Sequence, residues 1–208
     1  MKPELRKLNR FTTIPFLIDL LKREKLALIN PSIWEDYNDR ATMEVYRNKS
    51  RAQSIYALCL THQNETIHHW NAFANGTAGC CIEFSPERLF KILDSLEDVH
   101  HGKVQYKRIQ DLPSLNASIN DLPYLKRYPF KPENEYRLIA VSDKPQQPTF
   151  DIDIDLSVVR KITISNKVPP VVFKSLKESL VSINSNFKGR IYHSTLFNNA
   201  TWVSHFNK

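Results

Sequence analysis

Two carboxylates and an arginine stand two residues apart in one short segment, Glu133-Asn-Glu135-Tyr-Arg137, directly before an apolar run. Side chains two apart along a strand point to the same face, so a strand here would place all three together. Paired carboxylates can exchange protons or stabilise a developing cation. We therefore take Glu135 and Glu133 as candidate catalytic residues. The alternative is a surface network between Glu135 and Arg137, which would contribute little to stability.

A second segment places aromatic side chains before a strand: Trp70-Asn-Ala-Phe73, then Gly76 and Gly79, then Cys-Cys-Ile-Glu83-Phe. Trp70 and Phe73 are three apart, so they share one face of a helix. Aromatic side chains there can stack on the rings of a cofactor, or they can pack in the core. Trp70 and Phe73 are candidate cofactor-binding residues, and Glu83 ranks below Glu135 as an acid.

Further candidates for ligand binding are an arginine and several small polar residues. Arg10 can bind a phosphate in a bidentate manner, although a solvated charge is the alternative. Thr12 is a further candidate, although either Thr12 or Thr13 also fits the N-cap of the helix that follows. Asn38 and Asp39 fall in a predicted loop, where polar side chains either fix turns or line pockets. Arg137 either contacts the ligand or organises the two glutamates. The cofactor-binding candidates are therefore Arg10, Thr12, Asn38, Trp70, Phe73 and Arg137.

The composition limits the classes of function. The 208 residues are 41% hydrophobic and 25% charged, as expected for one globular domain. A formal net charge of +7 and a pI near 9.3 favour a polyanionic partner such as nucleic acid, or simply a basic surface. The four glycines cannot form a phosphate-binding loop of the Walker or Rossmann type.

The cysteines and the hydropathy of the sequence bear on metal binding, disulfide formation and the cellular compartment. The three cysteines are Cys59, Cys80 and Cys81, an odd number without metal-ligand spacing, so we expect reduced thiols in the core and no metal. No apolar run is long enough to span a membrane, and the first residues lead into no apolar segment typical of a signal peptide. We expect a cytoplasmic protein that does not associate with a membrane.

Strand and helix patterns alternate along the chain without regular βαβ spacing. The sequence therefore predicts a single α+β domain over residues 1–208, with a mixed, mostly antiparallel sheet flanked by helices. Its core spans about 8–185, and 186–208 form a C-terminal strand and tail. Strands are predicted at 8–11, 26–29, 55–60, 80–84, 104–106, 135–141, 151–156, 158–165 and 190–192. Helices are predicted after residue 13, through 43–45, and at 65–74, 86–96 and 169–183.

The order of these segments resembles a bacterial family, domain of unknown function family 2971, over roughly residues 8–185. Its Phe-Asn-Asp-Pro-like loop is matched by Tyr37-Asn38-Asp39-Arg40, with arginine where the family usually has proline. Two further blocks of that family are matched at Trp70, Phe73, Ala74, Gly79, Cys81, Ile82, Glu83 and Phe84, and at Lys126, Phe130, Glu133, Glu135 and Arg137.

A second resemblance is to ADP-ribosyltransferase-fold enzymes of the DarT type. An arginine on the first strand followed by threonine and a helix is matched by Arg10 and Thr12, and a glutamate heading a late strand by Glu135. A downstream strand of these enzymes resembles Val159-Arg-Lys-Ile162-Thr-Ile164. The resemblance implies that NAD is bound without a glycine-rich loop and that Glu135 stabilises the oxocarbenium-like state. It also implies transfer of ADP-ribose to a macromolecule, nucleic acid included, by a toxin or phage-defence effector with a possible antitoxin partner.

Two other functions stay open on the sequence. A non-catalytic module binding nucleic acid or protein would use its basic residues on one face and the Glu-x-Glu-x-Arg segment only structurally. A nuclease would place Glu133, Glu135 and Asp39 around Mg²⁺, which prefers oxygen ligands.

Overall fold

The computed structural model describes residues 5–207, with eleven strands, six α-helices and five short 3-10 helices within them. The strands are β1 (Leu8–Thr13), β2 (Lys25–Ile29), β3 (Ser54–Thr61), β4 (Gly79–Phe84), β5 (Val99–Lys103), β6 (Gln105–Lys107), β7 (Leu125–Arg127), β8 (Glu135–Ser142), β9 (Thr149–Asp153), β10 (Val159–Ile164) and β11 (Arg190–His193). The helices are α1 (Ile14–Arg23), α2 (Tyr37–Ser50), α3 (Ile67–Phe73), α4 (Pro86–Leu93), α5 (Pro170–Ile183) and α6 (Ala200–Phe206). The 3-10 helices are Pro31–Ile33, Ile109–Ser114, Ile119–Tyr124, Tyr128–Glu133 and Leu156–Val158.

Nine strands form one sheet with the path β11-β10-β4-β1-β3-β2-β9, and β8 and β5 branch from β3. Its ladders are antiparallel except for the parallel pair β10–β11, and β6 and β7 form a separate parallel pair. This confirms the predicted α+β domain with a mostly antiparallel sheet. No helix in residues 5–207 is long and apolar enough to cross a membrane.

The large sheet has a weak junction between β1 and β3. β1 pairs with β4 along its whole length, and β3 pairs in the same way with β8. Between β1 and β3, the described ladder contains one pair, Asn9 opposite Thr61. The two strands therefore diverge beyond this pair and leave room for side chains between the two halves of the sheet.

Apolar side chains cover both faces of the sheet, but not to the same extent. The face that carries Leu8 and Leu58 forms the main core with buried residues of α1, α4 and α5. The opposite face has two smaller apolar clusters, one under α2 around Met43 and one under α3 around Trp70. The core is thus continuous on one face and interrupted on the other.

Several predicted boundaries were wrong, each for a local reason. Asp36 accepts a hydrogen bond from the Asn38 amide and starts α2 at Tyr37, so Asn38 and Asp39 are helical rather than in a loop. Thr66 caps α3, so this helix begins at Ile67 rather than at residue 65. Of the two threonines predicted to fit the N-cap of α1, Thr13 holds that position, and its side chain makes no capping bond.

Other differences concern the polar and C-terminal segments. Strand β5 contains two histidines, a glycine and a lysine, and that polar pattern hid it. The predicted strand at 104–106 is displaced to β6. Helix α5 begins at Pro170, one residue after its predicted start, and Val172 on it is half exposed. The predicted C-terminal tail contains α6.

Candidate active site between helices α2 and α3

The site lies on the interrupted face, in the gap between the two small apolar clusters. Met43 and Ile139 belong to the cluster on the α2 side, and Phe11 and Trp70 to the cluster on the α3 side. The strand residues between them are Cys59 and Thr61 on β3 and Glu135 and Arg137 on β8, which lie opposite one another in register. Polar and ionisable side chains therefore occupy a position where the rest of the sheet is covered by apolar ones.

Arg137 anchors a buried group of charges. Its side chain is fully buried, and its Nε and Nη2 donate to the two carboxylate oxygens of Glu135 at 2.6 and 3.0 Å. Its Nη1 and Nη2 donate to the two oxygens of Asp39 at 2.8 and 2.5 Å. The Trp34 ring lies 4.9 Å from the guanidinium carbon, close enough for a cation–π contact. Arg137 thus organises the acids, one of the two roles expected for it.

Lys126 supplies the second cation of this group. Its Nζ lies 2.5 Å from Glu133 Oε2, 3.2 Å from Glu135 Oε2 and 3.5 Å from Asp39 Oδ2. The three acids of the nuclease hypothesis therefore surround an ammonium group. Residues 5–207 contain no group of three or more His, Cys, Asp and Glu side chains placed to hold a metal ion. The positions of Lys126 and Arg137 thus weigh against the hypothesis of a magnesium-dependent nuclease.

The two glutamates have pKa values that move in opposite directions. Burial alone would raise the pKa of Glu135, but Arg137 and Lys126 outweigh it and lower that pKa to about 2. Burial raises the pKa of Glu133, and Lys126 offsets the effect only in part. Glu133 Oε2 accepts from Lys126, whereas Glu135 is held through both oxygens. Such divergence of neighbouring carboxylates is typical of a pair with distinct roles in acid–base chemistry.

A small cavity of about 120 Å³ opens beside these glutamates. It is about the size of one aromatic ring, since an engineered cavity of about 150 Å³ binds benzene. Phe11 and the His69 ring are stacked at 5.1 Å, and Phe73, 44% exposed, stands beside His69. The full lining is Asn9, Phe11, Cys59, Leu60, Thr61, His69, Phe73, Lys126, Glu133 and Glu135. We call this space the ring cavity.

His69 is a structural support of the ring cavity rather than a free base. Its Nε2 lies 3.0 Å from the backbone carbonyl of Glu133, so Nε2 carries the proton and donates. Its Nδ1 then accepts from the Thr66 hydroxyl at 2.7 Å. Burial lowers the pKa of His69. A neutral imidazole therefore ties α3 to the segment that presents Glu133.

Asn9 contributes an unused acceptor to the cavity wall. Its side chain is 4% exposed, and its Nδ2 donates to the backbone carbonyl of Gln63 at 2.7 Å. That donation fixes which atom is Oδ1, and Oδ1 has no hydrogen-bond partner within the described chain. A buried acceptor left unpaired is unfavourable by about 1–3 kcal/mol. A ligand that donates an N–H here would satisfy it.

Cys59 reaches the ring cavity as the one exposed cysteine, whereas Cys80 and Cys81 are buried. Its expected place in the core was therefore wrong, because this position of β3 faces the gap. Solvent reaches the thiol, yet protein atoms surround it closely. The protein atoms packed around the thiol reduce its solvation, and together with the nearby Glu135 carboxylate they raise the pKa of Cys59 well above its usual range.

The structure brings some of the predicted residues together. Glu133, Glu135 and Phe73 line the ring cavity, and Arg137 lies behind Glu135. Glu133 reaches it differently from the prediction, because it ends a 3-10 helix and Asn134 adopts a left-handed conformation before β8 begins.

Other predicted residues lie elsewhere. Trp70 is buried behind Phe11, with its ring edge-on at 5.4 Å, so it is a core residue. Arg10 projects from the opposite face of β1, where burial lowers its pKa to about 10, and Thr12 is buried on that same face. Asn38 is exposed, bonds to Asp36 and lines a different groove. These placements remove Trp70, Arg10, Thr12 and Asn38 from the ring cavity, and Glu83 faces Lys161 instead.

Sequence reasoning missed four of the residues that shape the site: Lys126, His69, Asn9 and Cys59. Asn9 and Cys59 could have been found from strand alternation, because they share a face with Phe11 and Arg137. Lys126 lies on the three-residue strand β7 within a polar, proline-rich stretch, where no periodicity marks it. His69 carried no local signal beyond its place on a predicted helix.

Comparison with known proteins finds similarity only in solved structures. No family model matches the chain and no curated protein matches it, so the resemblance to domain of unknown function family 2971 gains no support. DarT of Thermus sp. 2.9 in complex with ADP-ribosylated ssDNA is 14% identical, with a TM-score of 0.48 over 92% of this chain and 95% of that one. The same protein with carba-NAD+ is 10% identical, with a TM-score of 0.46 over 92% and 97%. With NAD+, it is 12% identical with a TM-score of 0.44 over 93% and 98%. Likeness at this level assigns no activity to this chain.

Proposed function

We propose that this protein is an NAD-using ADP-ribosyltransferase-like enzyme that modifies a macromolecule. The observation that carries the proposal is the ring cavity, in which one aromatic ring fits beside an ionised carboxylate and a second carboxylate with a raised pKa. Cleavage of the bond between ribose and nicotinamide needs these features: a site for the leaving ring, a fixed negative charge and a group that moves a proton.

Nicotinamide matches the walls of the ring cavity. Phe11, Phe73 and His69 offer aromatic surfaces on which the ring stacks. The carboxamide N–H of nicotinamide is a donor for the unpaired Asn9 Oδ1. Three carboxylates against the cations of Lys126 and Arg137 also disfavour an anionic ring such as nicotinic acid. NAD is therefore the substrate we propose.

The two glutamates divide the chemistry between them. Glu135 stays ionised at every physiological pH because Arg137 lowers its pKa, and its charge stabilises the oxocarbenium-like ribose as the electron pair moves onto the nicotinamide nitrogen. Glu133 has the raised pKa and takes the proton from the acceptor nucleophile as that nucleophile bonds to the ribose carbon. Lys126 holds both carboxylates at one place.

The acceptor we propose is nucleic acid, on the basis of the net charge of +7. A role as a toxin or phage-defence effector in the cytoplasm, with an antitoxin as partner, belongs to the same proposal. The DarT resemblance of the sequence is the basis for that role.

The direct test is incubation of the folded protein with labelled NAD together with DNA, RNA or cell extract. We expect release of nicotinamide and transfer of label to nucleic acid, and Glu133→Gln should lower the rate by about 100-fold or more. Glu178→Gln on α5 is the matched control, because Glu178 is exposed on another element. A folded protein that neither cleaves NAD nor transfers label would refute the proposal and leave the non-catalytic binding module.

A further inference from the structure

A concave basic surface lies on the open edge of the sheet, away from the ring cavity but on the same face. We propose that it binds the phosphate backbone of a nucleic acid, and we call it the basic basin. Its volume is about 630 Å³, and its charged lining consists of Arg88, Arg160, Lys161, Lys188 and Arg190 with Glu83 and Glu87. The proposal adds a binding surface to the proposed function and does not depend on NAD chemistry.

Strand register concentrates the positive charge of the basin. Lys161 of β10 lies opposite Arg190 of β11 in a parallel pair, so the two side chains share one face. A bulge between Val159 and Lys161 shifts the register against β4 and brings Arg160 to 3.9 Å from Glu83. Local sequence and irregular pairing thus place three cations side by side.

Gly189 allows the segment that leads into β11 to approach β10 closely. A Cβ on Gly189 would lie 2.5 Å from the Phe187 ring and 2.9 Å from the carbonyl oxygen of Val159. Only glycine fits this contact, and it brings the chain carrying Lys188 and Arg190 against β10. Phe187 is buried, so the turn is fixed by the core beneath it.

Most of the basin charge is not neutralised by protein acids. Glu83 Oε2 is 3.1 Å from Lys161 Nζ, so this pair is internally balanced. Arg88, Lys188 and Arg190 have no carboxylate within ion-pair distance among the residues the structure describes. Five cations against two carboxylates leave a net charge of three on one side of the molecule. A cluster of uncompensated cations in a concave surface attracts a polyanion.

The basin is connected to the ring cavity by a row of residues that lie opposite one another on adjacent strands. The row runs Arg190, Lys161, Glu83, Asn9, Thr61 and Glu135. Neighbouring strands are about 4.8 Å apart, so Arg190 and Asn9 are separated by about 14 Å. This corresponds to about four nucleotide steps at 3.4 Å each. A strand held in the basin can therefore continue to the reactive site.

The chemistry of the basin favours nucleic acid over an acidic protein. Its lining is largely charged and polar, whereas the centre of a stable protein interface is depleted of charge and more apolar. The Tyr192 ring is 44% exposed beside Arg190, where a base can stack.

The test measures binding of a fluorescent single-stranded oligonucleotide at several salt concentrations, without NAD. The double variant Lys188→Gln, Arg190→Gln should bind more weakly, and the slope of log K against log salt should decrease by about 1.4, at about 0.7 for each lost phosphate contact. The control is Lys174→Gln, Lys177→Gln on α5, which removes the same charge from an exposed helix and should leave the slope unchanged. Thermal melts of both variants check that each is folded.

Two results would overturn the proposal. An equal decrease in both double variants would show that only overall charge matters. Polyglutamate that competes as well as the oligonucleotide at equal charge would show an acidic protein to be the better partner. Nicotinamide release without acceptor should be unchanged in the basin variant. Failure of NAD cleavage in the wild type would refute the proposed enzyme while the basin result would still stand.

Discussion

The substitutions Glu135→Gln and Glu133→Gln should differ in their effect on stability, because the two glutamates lie in one cluster but are held differently. Glu135 accepts from Arg137 through both oxygens and also from Lys126, whereas Glu133 accepts from Lys126. A neutral glutamine at 135 has one acceptor oxygen, and its amide group turns donors toward the donors of Arg137. Arg137 is fully buried and cannot recover these bonds from water.

The magnitude follows from the lowered pKa of Glu135. A decrease of the pKa from its usual value of 4.5 to about 2, at about 1.4 kcal/mol for each pH unit, corresponds to roughly 3 kcal/mol of the free energy of unfolding. Because the folded-state pKa is lowered, this stability is present above about pH 4.5 and is lost as the pH falls toward 2. Breaking one side of a buried ion pair has a similar effect, about 3–5 kcal/mol.

The assay is denaturant unfolding of the wild type, Glu135→Gln, Glu133→Gln and Glu178→Gln at pH 7 and again near pH 3. At pH 7, Glu135→Gln should lose about 3 kcal/mol, and the difference from wild type should decrease at low pH. Glu133→Gln should change stability by less than about 1 kcal/mol, since the raised pKa of Glu133 means that its charge is not stabilised by folding. Glu178→Gln should have no effect.

The rate of NAD cleavage by the same variants is the second measurement. Glu133→Gln should remain folded and lose NAD cleavage, which shows a chemical role without a structural one. Equal stability losses for both glutamates would contradict the division of roles derived from their pKa shifts. A fully stable Glu135→Gln would show that the contacts to Arg137 do not hold the fold, and the reasoning from burial would fail.

Three further predictions concern the cavity and the strand beside it. Nicotinamide should raise the melting temperature while nicotinic acid does not, and Asn9→Leu should abolish the effect by removing the unpaired Oδ1. Cys59 should react slowly with a thiol reagent at pH 7 because of its raised pKa, and nicotinamide should protect it, as mass spectrometry with Cys59→Ser as control will show. Gly79→Ala should destabilise the protein by about 3 kcal/mol, because its Cβ would overlap the carbonyl oxygen of Ala74, whereas Gly102→Ala meets only a side chain.

Much of the strand framework was predictable from the sequence. Apolar runs at β3, β4, β8 and β10 mark buried strands, and alternation within β8 correctly joined Glu135 to Arg137 on one face. The α+β class followed from the irregular order of these elements. Strand positions, strand faces and fold class depend on short-range periodicity, which can be read from a single sequence.

The composition of the site was not predictable in the same way. Lys126 comes from a short strand between two 3-10 helices, and Asp39 comes from the first turn of a helix that looked like a loop. Asp39 meets Arg137 through a 2.5 Å bond between residues 98 positions apart, and Lys126 joins the cluster through its ion pair with the same Asp39. Arg10 faces away from the ring cavity because alternation from Phe11 along β1 decides which face of the sheet it takes.

The burial of five ionisable groups between two apolar clusters is itself an argument for function. The five are Asp39, Lys126, Glu133, Glu135 and Arg137. A buried ion cluster is often no more stable than apolar residues of the same volume, and removing one member is strongly unfavourable. The flanking clusters around Met43 and Trp70 show that this face of the sheet can be covered by apolar side chains. The ion cluster interrupts this apolar covering. A local departure of this kind from the pattern of the surrounding residues is expected at a functional site. Glu133, with its raised pKa and its position at the ring cavity, is the member of that cluster best placed to act on a ligand.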